Sequence, residues 1–215
     1  EKTIRARVLN NISEINREIW DQHRQEGAPF MKWDWLASLE EAKCVSERTG
    51  WVPHPIVLER DSQVIAACPM YLKGHSMGEF VFDHEWAAFA SRLGISYYPK
   101  MLVGVPFTPV AGQRFLTKAK ENRQALVQEL AQALIQICQQ NKISSIHINF
   151  CSEDEVEALS PLGFIPKVGI QFHWRNRGFK SFDDYLTSSR SDRRNKIKKE
   201  RRELEKQGVT IRVWE

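Results

Sequence analysis

Between Tyr71 and Leu116 the chain collects residue types that move protons and hold anions: His75, Glu79, Asp83, the Tyr97-Tyr98 pair, Lys100 and Arg114. They are set among five glycines (Gly74, Gly78, Gly94, Gly104, Gly112) and three prolines (Pro99, Pro106, Pro109) in a stretch that is otherwise apolar. Glycine and proline fix backbone positions that ordinary residues resist, and loops so shaped hold ligands more often than they merely connect elements. The stretch is therefore read as the wall of an active site. A substrate that must lose a proton before it attacks needs a base tuned near neutrality, and histidine lies closest to that value unperturbed. His75, between Gly74 and Ser76, is the first choice. Glu79, Asp83, His147 and His173 are the other candidates for proton transfer, and Tyr98 can donate to a leaving group. Structural roles stand beside each reading: Asp83 as a helix cap, Glu79 as a partner of Lys73 or Lys100, and every histidine as a satisfied core group.

The elements that must position these groups follow from periodicity. Arg5 to Asn10 reads as a strand, Ser13 to Arg24 as a helix with Ile12, Ile15, Ile19 and Trp20 on one face, and Asp34 to Gly50 as a second helix. His54–Glu59 and Gln63–Lys73 form a hairpin across Arg60-Asp61-Ser62, with pairing broken at Pro69. A helix capped at Asp83 or His84 runs to Arg92, a strand covers Tyr97–Val105, and Asn122–Gln140 is a long amphipathic helix. In the strand ISSIHINF, Ser145, His147 and Asn149 alternate with Ile146, Ile148 and Phe150, so a polar face must look at water or at a site. VGIQFHW (168–174) repeats the pattern with Gln171 and His173, and the two polar faces are expected to meet the glycine-rich loop in one cleft. A helix Ser191–Gln207 and a closing strand GVTIRVW complete the chain.

Composition narrows the class. No apolar run approaches the roughly 20 residues that span a bilayer, and EKTIRARVLNNISEI has no signal-peptide core, which predicts a cytoplasmic protein with no integral membrane segment. Cys44, Cys68, Cys138 and Cys151 form no CxxC pair, which predicts free thiols and no metal site. From Arg175 onward, thirteen Lys and Arg stand against seven Asp and Glu, an excess larger than the net charge of +4. The basic helix is read either as a solvated linker or as a phosphate contact through Arg193, Arg194 and Lys198; nucleic acid is less favoured because no aromatic residues interleave with the basic ones.

The element order and the strings HSMGEFVFDHEWA, YYPKMLVGVPFTPVAGQRFL, SSIHINF, QFHWRN and SRSDRRNKIKKERRELEKQG resemble the FemAB-like family of N-acyltransferases within the acyl-CoA N-acyltransferase (GNAT) superfamily. The resemblance implies an α/β (α+β) fold, a mixed and mostly antiparallel central sheet flanked by helices. It divides the chain into a GNAT-like domain, 1–176, and a basic helical linker with the first strand of an incomplete second such domain, 177–215, so that the chain alone turns over poorly and could dimerise through its terminal strand. The implied reaction moves an acyl group from a thioester, acyl-CoA or acyl carrier protein, to a small-molecule or lipid amine, with no tightly bound cofactor. The alternatives are an aminoacyl transferase using charged tRNA in peptidoglycan synthesis, and a non-catalytic module binding nucleic acid or an anionic membrane. In a GNAT-like site the donor phosphates meet the loop before the long helix, which here places Thr108, Gly112 and Arg114 at the phosphates; the usual Gln/Arg-Gly-x-Gly/Ala pattern is not reproduced there.

Overall fold

The structure, a computed structural model, describes residues 3–119 and 121–212. Two compact units divide it, Glu1–Lys167 and Val168–Glu215. In the first, strand β1 (Ile4–Val8) leads to α1 (Arg17–Asp21), shorter than the periodicity predicts. Asn16 explains the difference: its side chain accepts hydrogen bonds from the amides of Glu18 and Ile19, so the helix starts there, while Ile12 and Ile15 drop into the core ahead of it. Helix α2 (Trp33–Glu41) also ends early, because Lys43 takes a left-handed backbone (φ 57°). A 3-10 turn then leads into a strand the sequence does not announce, β2 (Trp51–Pro53).

β3 (Ile56–Arg60) and β4 (Gln63–Cys68) form the hairpin, with Asp61 and Ser62 at φ 52° and 62° in a two-residue turn whose twist suits antiparallel strands. Pro69 separates β4 from β5 (Met70–Lys73). Without an N–H to donate, it is where the chain leaves one sheet and enters another. After α3 (His84–Arg92) come β6 (Lys100–Val103), β7 (Leu116–Thr117), α4 (Arg123–Gln140), β8 (Ile146–Ile148) and α5 (Glu153–Leu159). The sheets run β1-β3-β4-β7 and β2-β5-β6-β8, every pairing antiparallel except β6 with β8, whose connection passes through α4.

Alternation on the second sheet decides where the site lies. Met70, Leu72, Met101, Val103, Ile146 and Ile148 share the face that packs on Leu126, Leu130 and Leu134 of α4. The residues between them, Tyr71, Lys73, Lys100, Leu102 and His147, therefore point to the other face, where Trp51, Tyr71 and Leu102 form a small apolar cluster of their own. Two lysines and a histidine thus sit on the sheet surface away from the long helix.

In the second unit, α6 (Phe182–Thr187) is capped by Ser181, and the Tyr185 ring is edge-on to Trp174 and Phe179 at centroid distances of 5.9 and 5.5 Å. In α7 (Ser191–Lys206) the Arg201 guanidinium lies 4.4 Å from the Phe182 ring centre and Lys198 lies 3.5 Å from Asp183. The predicted strands of this region are not formed. Residues 168–174 form no strand and expose Val168, Ile170, Phe172 and Trp174. Gly208–Arg212 likewise forms no strand, and residues 213–215 lie outside the described residues. Alternation marks a chain able to be a strand, but a strand exists only with a neighbour to bond to. No helix among the described residues is long and apolar enough to cross a membrane.

Candidate active site

One row across the second sheet reads Trp51, Lys73, Lys100, each directly opposite the next on neighbouring strands. Two like charges so placed repel, and both side chains are fully buried, so the row is tenable only with compensation from outside the sheet. The loop after β5 supplies it. Lys100 Nζ donates to Asp83 Oδ2 (2.5 Å), Ser76 Oγ (2.8 Å) and Glu79 Oε2 (3.0 Å), which uses all three ammonium hydrogens. Lys73 Nζ sits 3.6 Å above the centre of the Trp51 ring and donates to the Met77 carbonyl at 3.2 Å. Four charges, two of each sign, therefore close on themselves within a buried cluster.

Hydroxyl groups extend the cluster outward. Tyr97 OH donates to Asp83 Oδ2 at 2.8 Å, and Ser76 Oγ and Tyr98 OH are 2.8 Å apart. From β8 and the residue after it come His147, whose Nε2 is 3.0 Å from Ser145 Oγ, and Asn149, whose Nδ2 is 3.5 Å from Glu79 Oε2. Beside the tyrosines a hollow of about 480 Å³ opens between them and the face of α3 carrying Ala87 and Ser91. Glu79 Oε1 and Asp83 Oδ1 are buried with no donor among the described residues, so the cluster keeps two carboxylate oxygens in hand.

Environment separates the two carboxylates. Burial lifts Glu79 above the usual carboxylate range, against the pull of Lys100 and Lys73. Burial acts the same way on Asp83, but hydrogen bonds from Lys100, Ser76 and Tyr97 outweigh it and hold that carboxyl at about 2. Asp83 is thus a fixed anion, while Glu79 is the member poised to take up a proton. Burial, with the Lys100 charge added, brings Lys73 down to about 8 and His147 down to about 4; Tyr97 is raised by burial and by Asp83. His147 is consequently a neutral imidazole at neutral pH.

Glu79, Asp83, Tyr98 and His147 are brought together; His75 and His173 are not. The loop alternates, sending Ser76 and Glu79 toward Lys100 and His75 to its other side, where the imidazole lies so close to Gly50 that a Cβ there would come within 2.3 Å of Nε2. His75 Nδ1 accepts the Met77 amide at 3.2 Å. His173 belongs to the second unit, where its ring is exposed and 3.3 Å from Gln171 Oε1. Asp83 stands at the cap position of α3 but makes no side-chain capping bond, because its carboxylate is turned to Lys100. The centre of the cluster, Lys100, stands in the sequence as one polar residue of the wall and a partner for Glu79, with no role of its own among the proton-transfer candidates. Its signal is a lysine at the head of an apolar strand, just after Tyr97-Tyr98-Pro99.

The loop expected at the donor phosphates is spoken for. Arg114 is buried, and its guanidinium donates to the carbonyls of Asn149, Gly112, Gln113 and Val110. The Gly112 amide bonds Phe150, the Arg114 and Phe115 amides bond Glu155, and Thr108 Oγ1 donates to Pro106. A charged residue in a glycine loop can serve a ligand or the loop itself, and here it serves the loop. Arg193, Arg194 and Lys198 are carried by α7 of the second unit. No group of three metal-ligating side chains occurs among the described residues.

A family profile described as FemAB-like, peptidoglycan biosynthesis/recognition, matches residues 11–215. None of the curated proteins matches the chain. Among solved structures, an aminoglycoside N-acetyltransferase, AAC(6')-Iy, in complex with coenzyme A superposes with a TM-score of 0.50 at 14% identity, over 82% of this chain and 97% of that one. Glucosamine-6-phosphate N-acetyltransferase from Arabidopsis thaliana is similar over 81% of this chain and all of its own, at 11% identity and a TM-score of 0.44. At such identities the first likeness speaks to fold: a mixed α/β architecture of the GNAT type.

Proposed function

The chain belongs to the FemAB-like family, and from that premise we propose that it is an N-acyltransferase, moving an acyl group from a thioester donor, acyl-CoA or acyl carrier protein, to an amine acceptor. The observation that carries the reading is the buried Lys100 cluster. It holds one carboxylate fixed, sits beside a second that burial raises above its ordinary value, and is joined through Ser76 to Tyr98, which lines an open hollow. An acceptor arriving as an ammonium ion gives one proton to Glu79. The freed nitrogen pair attacks the thioester carbonyl carbon, the C–N bond forms, the C–S bond breaks, and the departing thiolate takes a proton from the Tyr98 hydroxyl. The Tyr98 oxygen takes the second proton from the cationic nitrogen to leave a neutral amide, and Glu79 returns its proton to solvent as products leave. Lys100, Ser76 and Asp83 position these two groups; they are not asked to exchange protons. His147, held at about 4, is too weak a base to deprotonate an ammonium ion and instead supports the wall beside Tyr97.

No residue is assigned to the phosphates of coenzyme A. The amides of Phe107, Thr108, Val110, Gly112, Arg114 and Phe115 in the 104–115 loop are bonded within the protein, and no step is routed through the phosphates. A second donor, the aminoacyl group on tRNA that the resemblance implies, fits the peptidoglycan biosynthesis named in the family's description, with the same chain of steps ending on a ribose oxygen in place of sulfur.

The test is thiol release from a panel of acyl-CoAs and acyl carrier protein thioesters in the presence of primary amines, beside amine-dependent deacylation of aminoacyl-tRNA. Amine-dependent thiol release is expected, falling about 10²- to 10⁴-fold in Glu79→Gln and about 10²-fold in Tyr98→Phe with melting temperature unchanged in the latter. Deacylation of tRNA with no thiol released from any thioester would replace the donor. Full activity in both variants would remove the cluster from the chemistry.

A further inference from the structure

The side of the 74–79 loop that faces away from Lys100 borders a second hollow, of about 560 Å³, lined by Leu39, Cys44, Trp51, Met77 and Phe107 with Thr49 and His75 the polar members. That size is within the range of small-ligand sites, about 300 to 1,000 Å³. Its walls are held open at some conformational cost. Phe107 adopts a left-handed backbone, φ 58°, fixed by its amide to the Gly78 carbonyl at 3.2 Å, and keeps its ring 5.3 Å from the Trp51 ring while 41% exposed. Gly78, at φ 79°, leaves the space the ring occupies, since a Cβ there would lie 2.7 Å from it. Met77, with its adaptable thioether, is 69% exposed at the same rim. A large aromatic residue on a left-handed backbone, with one side of its ring on Trp51 and the other left to the hollow, gives that hollow an apolar wall.

We infer that this hollow seats a hydrocarbon chain of one substrate, running away from the Lys100 cluster on the other side of the loop. The inference rests on the acyl-transfer reading only for which substrate carries the chain, the acyl donor or a lipidic amine. Adjacency supports it: the hollow and the cluster share a wall, since Trp51 lines the hollow and lies under Lys73, and Ser76 and Met77 are consecutive residues facing the cluster and the hollow in turn, with Met77 exposed at the rim over which a chain would pass. The lining offers little to recognise a polar group, whereas each methylene placed there is worth roughly a fourfold gain in affinity.

Cys44, an exposed free thiol on the lining, supplies a reporter that does not depend on turnover. Its alkylation by N-ethylmaleimide is followed by mass spectrometry on the intact chain, with acetyl-CoA against decanoyl-CoA in one arm and ethylamine against decylamine in the other. A ten-carbon probe is expected to slow labelling of Cys44 at least tenfold where its two-carbon counterpart does not, and the arm in which this occurs identifies the substrate that carries the chain. Leu39→Trp, which fills the hollow, should abolish that protection while leaving reactions of two-carbon substrates intact. Protection in one arm without acyl transfer in any mixture would keep the hollow and sink the transferase reading. Transfer that proceeds equally for two- and ten-carbon substrates, with Cys44 labelled at the same rate throughout, would sink the hollow and keep the transferase. Equal protection by short and long probes would overturn it as well.

Discussion

Lys100→Met is expected to destabilise the protein by about 3 to 5 kcal/mol at pH 7, because removing one partner of a buried ion pair leaves the others charged and uncompensated. Here two carboxylates are stranded, Glu79 and Asp83, with Ser76 losing its donor as well. The pH dependence distinguishes this from a simple packing defect. In the parent protein Asp83 is held at about 2, below its unfolded value, so its stabilising contribution is present above about pH 4 and is lost as pH falls toward 2. Without the ammonium, burial is opposed only by the Ser76 and Tyr97 hydrogen bonds at Asp83 and by Lys73 at Glu79, so both carboxyls rise relative to the parent and the variant's penalty grows as pH rises from 4. The difference between parent and variant should therefore be large at pH 7 and small at pH 3. Urea unfolding at pH 3, 5 and 7 measures it, and a difference that stays flat across that range would dispose of the coupled cluster. Glu79→Gln with Asp83→Asn in the Lys100→Met background should restore most of the stability and none of the activity.

How much of this cluster could be read beforehand depends on what kind of information each residue carries. Ser145, His147 and Asn149 announced a polar strand face by strict alternation, and they do face the same side as Lys100, because alternation is local and survives folding. Glu79, Asp83 and Tyr98 stood out as polar groups in an apolar stretch, and they converge. What the sequence could not say is which way each side chain of the 74–79 loop turns. His75 and Ser76 are neighbours with opposite fates, and only the register of β5 against β6 makes Lys73 and Lys100 face each other. The same limit applied to Arg114, for a cation in a glycine-rich loop looks alike whether it awaits a phosphate or ties carbonyls together. Helix α4 was legible almost to the residue because its cap, Asn122, and its apolar stripe are both local. Strand β2 was not, since three residues carry no periodicity and are a strand only through pairing with β5.

Glu155 shows the other use of a buried charge and carries the second large expected effect. It opens as an ordinary capping-box residue of α5, its Oε2 taking the Ser152 amide at 3.2 Å. Yet its side chain is fully buried, and Oε1 also accepts from the Arg114 amide (2.9 Å), the Phe115 amide (2.9 Å) and Arg123 Nη2 (2.7 Å). One carboxylate therefore fastens the end of the 104–115 loop, the first turn of α4 and the first turn of α5. Hydrogen bonds to a charged acceptor contribute about 1.5 to 3 kcal/mol each, and their loss together is not additive, so Glu155→Ala should cost about 3 to 5 kcal/mol in all. Arg123→Met should cost less than Glu155→Ala, because Arg123 is partly exposed and the backbone amides keep their acceptor. Hydrogen exchange locates the effect: the amides of Arg114 and Phe115 lose protection in Glu155→Ala beyond what the fall in global stability accounts for, while those of β3 and β4 follow the global value. Arg114 then has no fixed loop to bond, and the wall formed by Phe107 loosens with it. An unchanged melting temperature, with Arg114 and Phe115 exchanging as slowly as in the parent, would show that α5 and the loop are held by something other than this carboxylate.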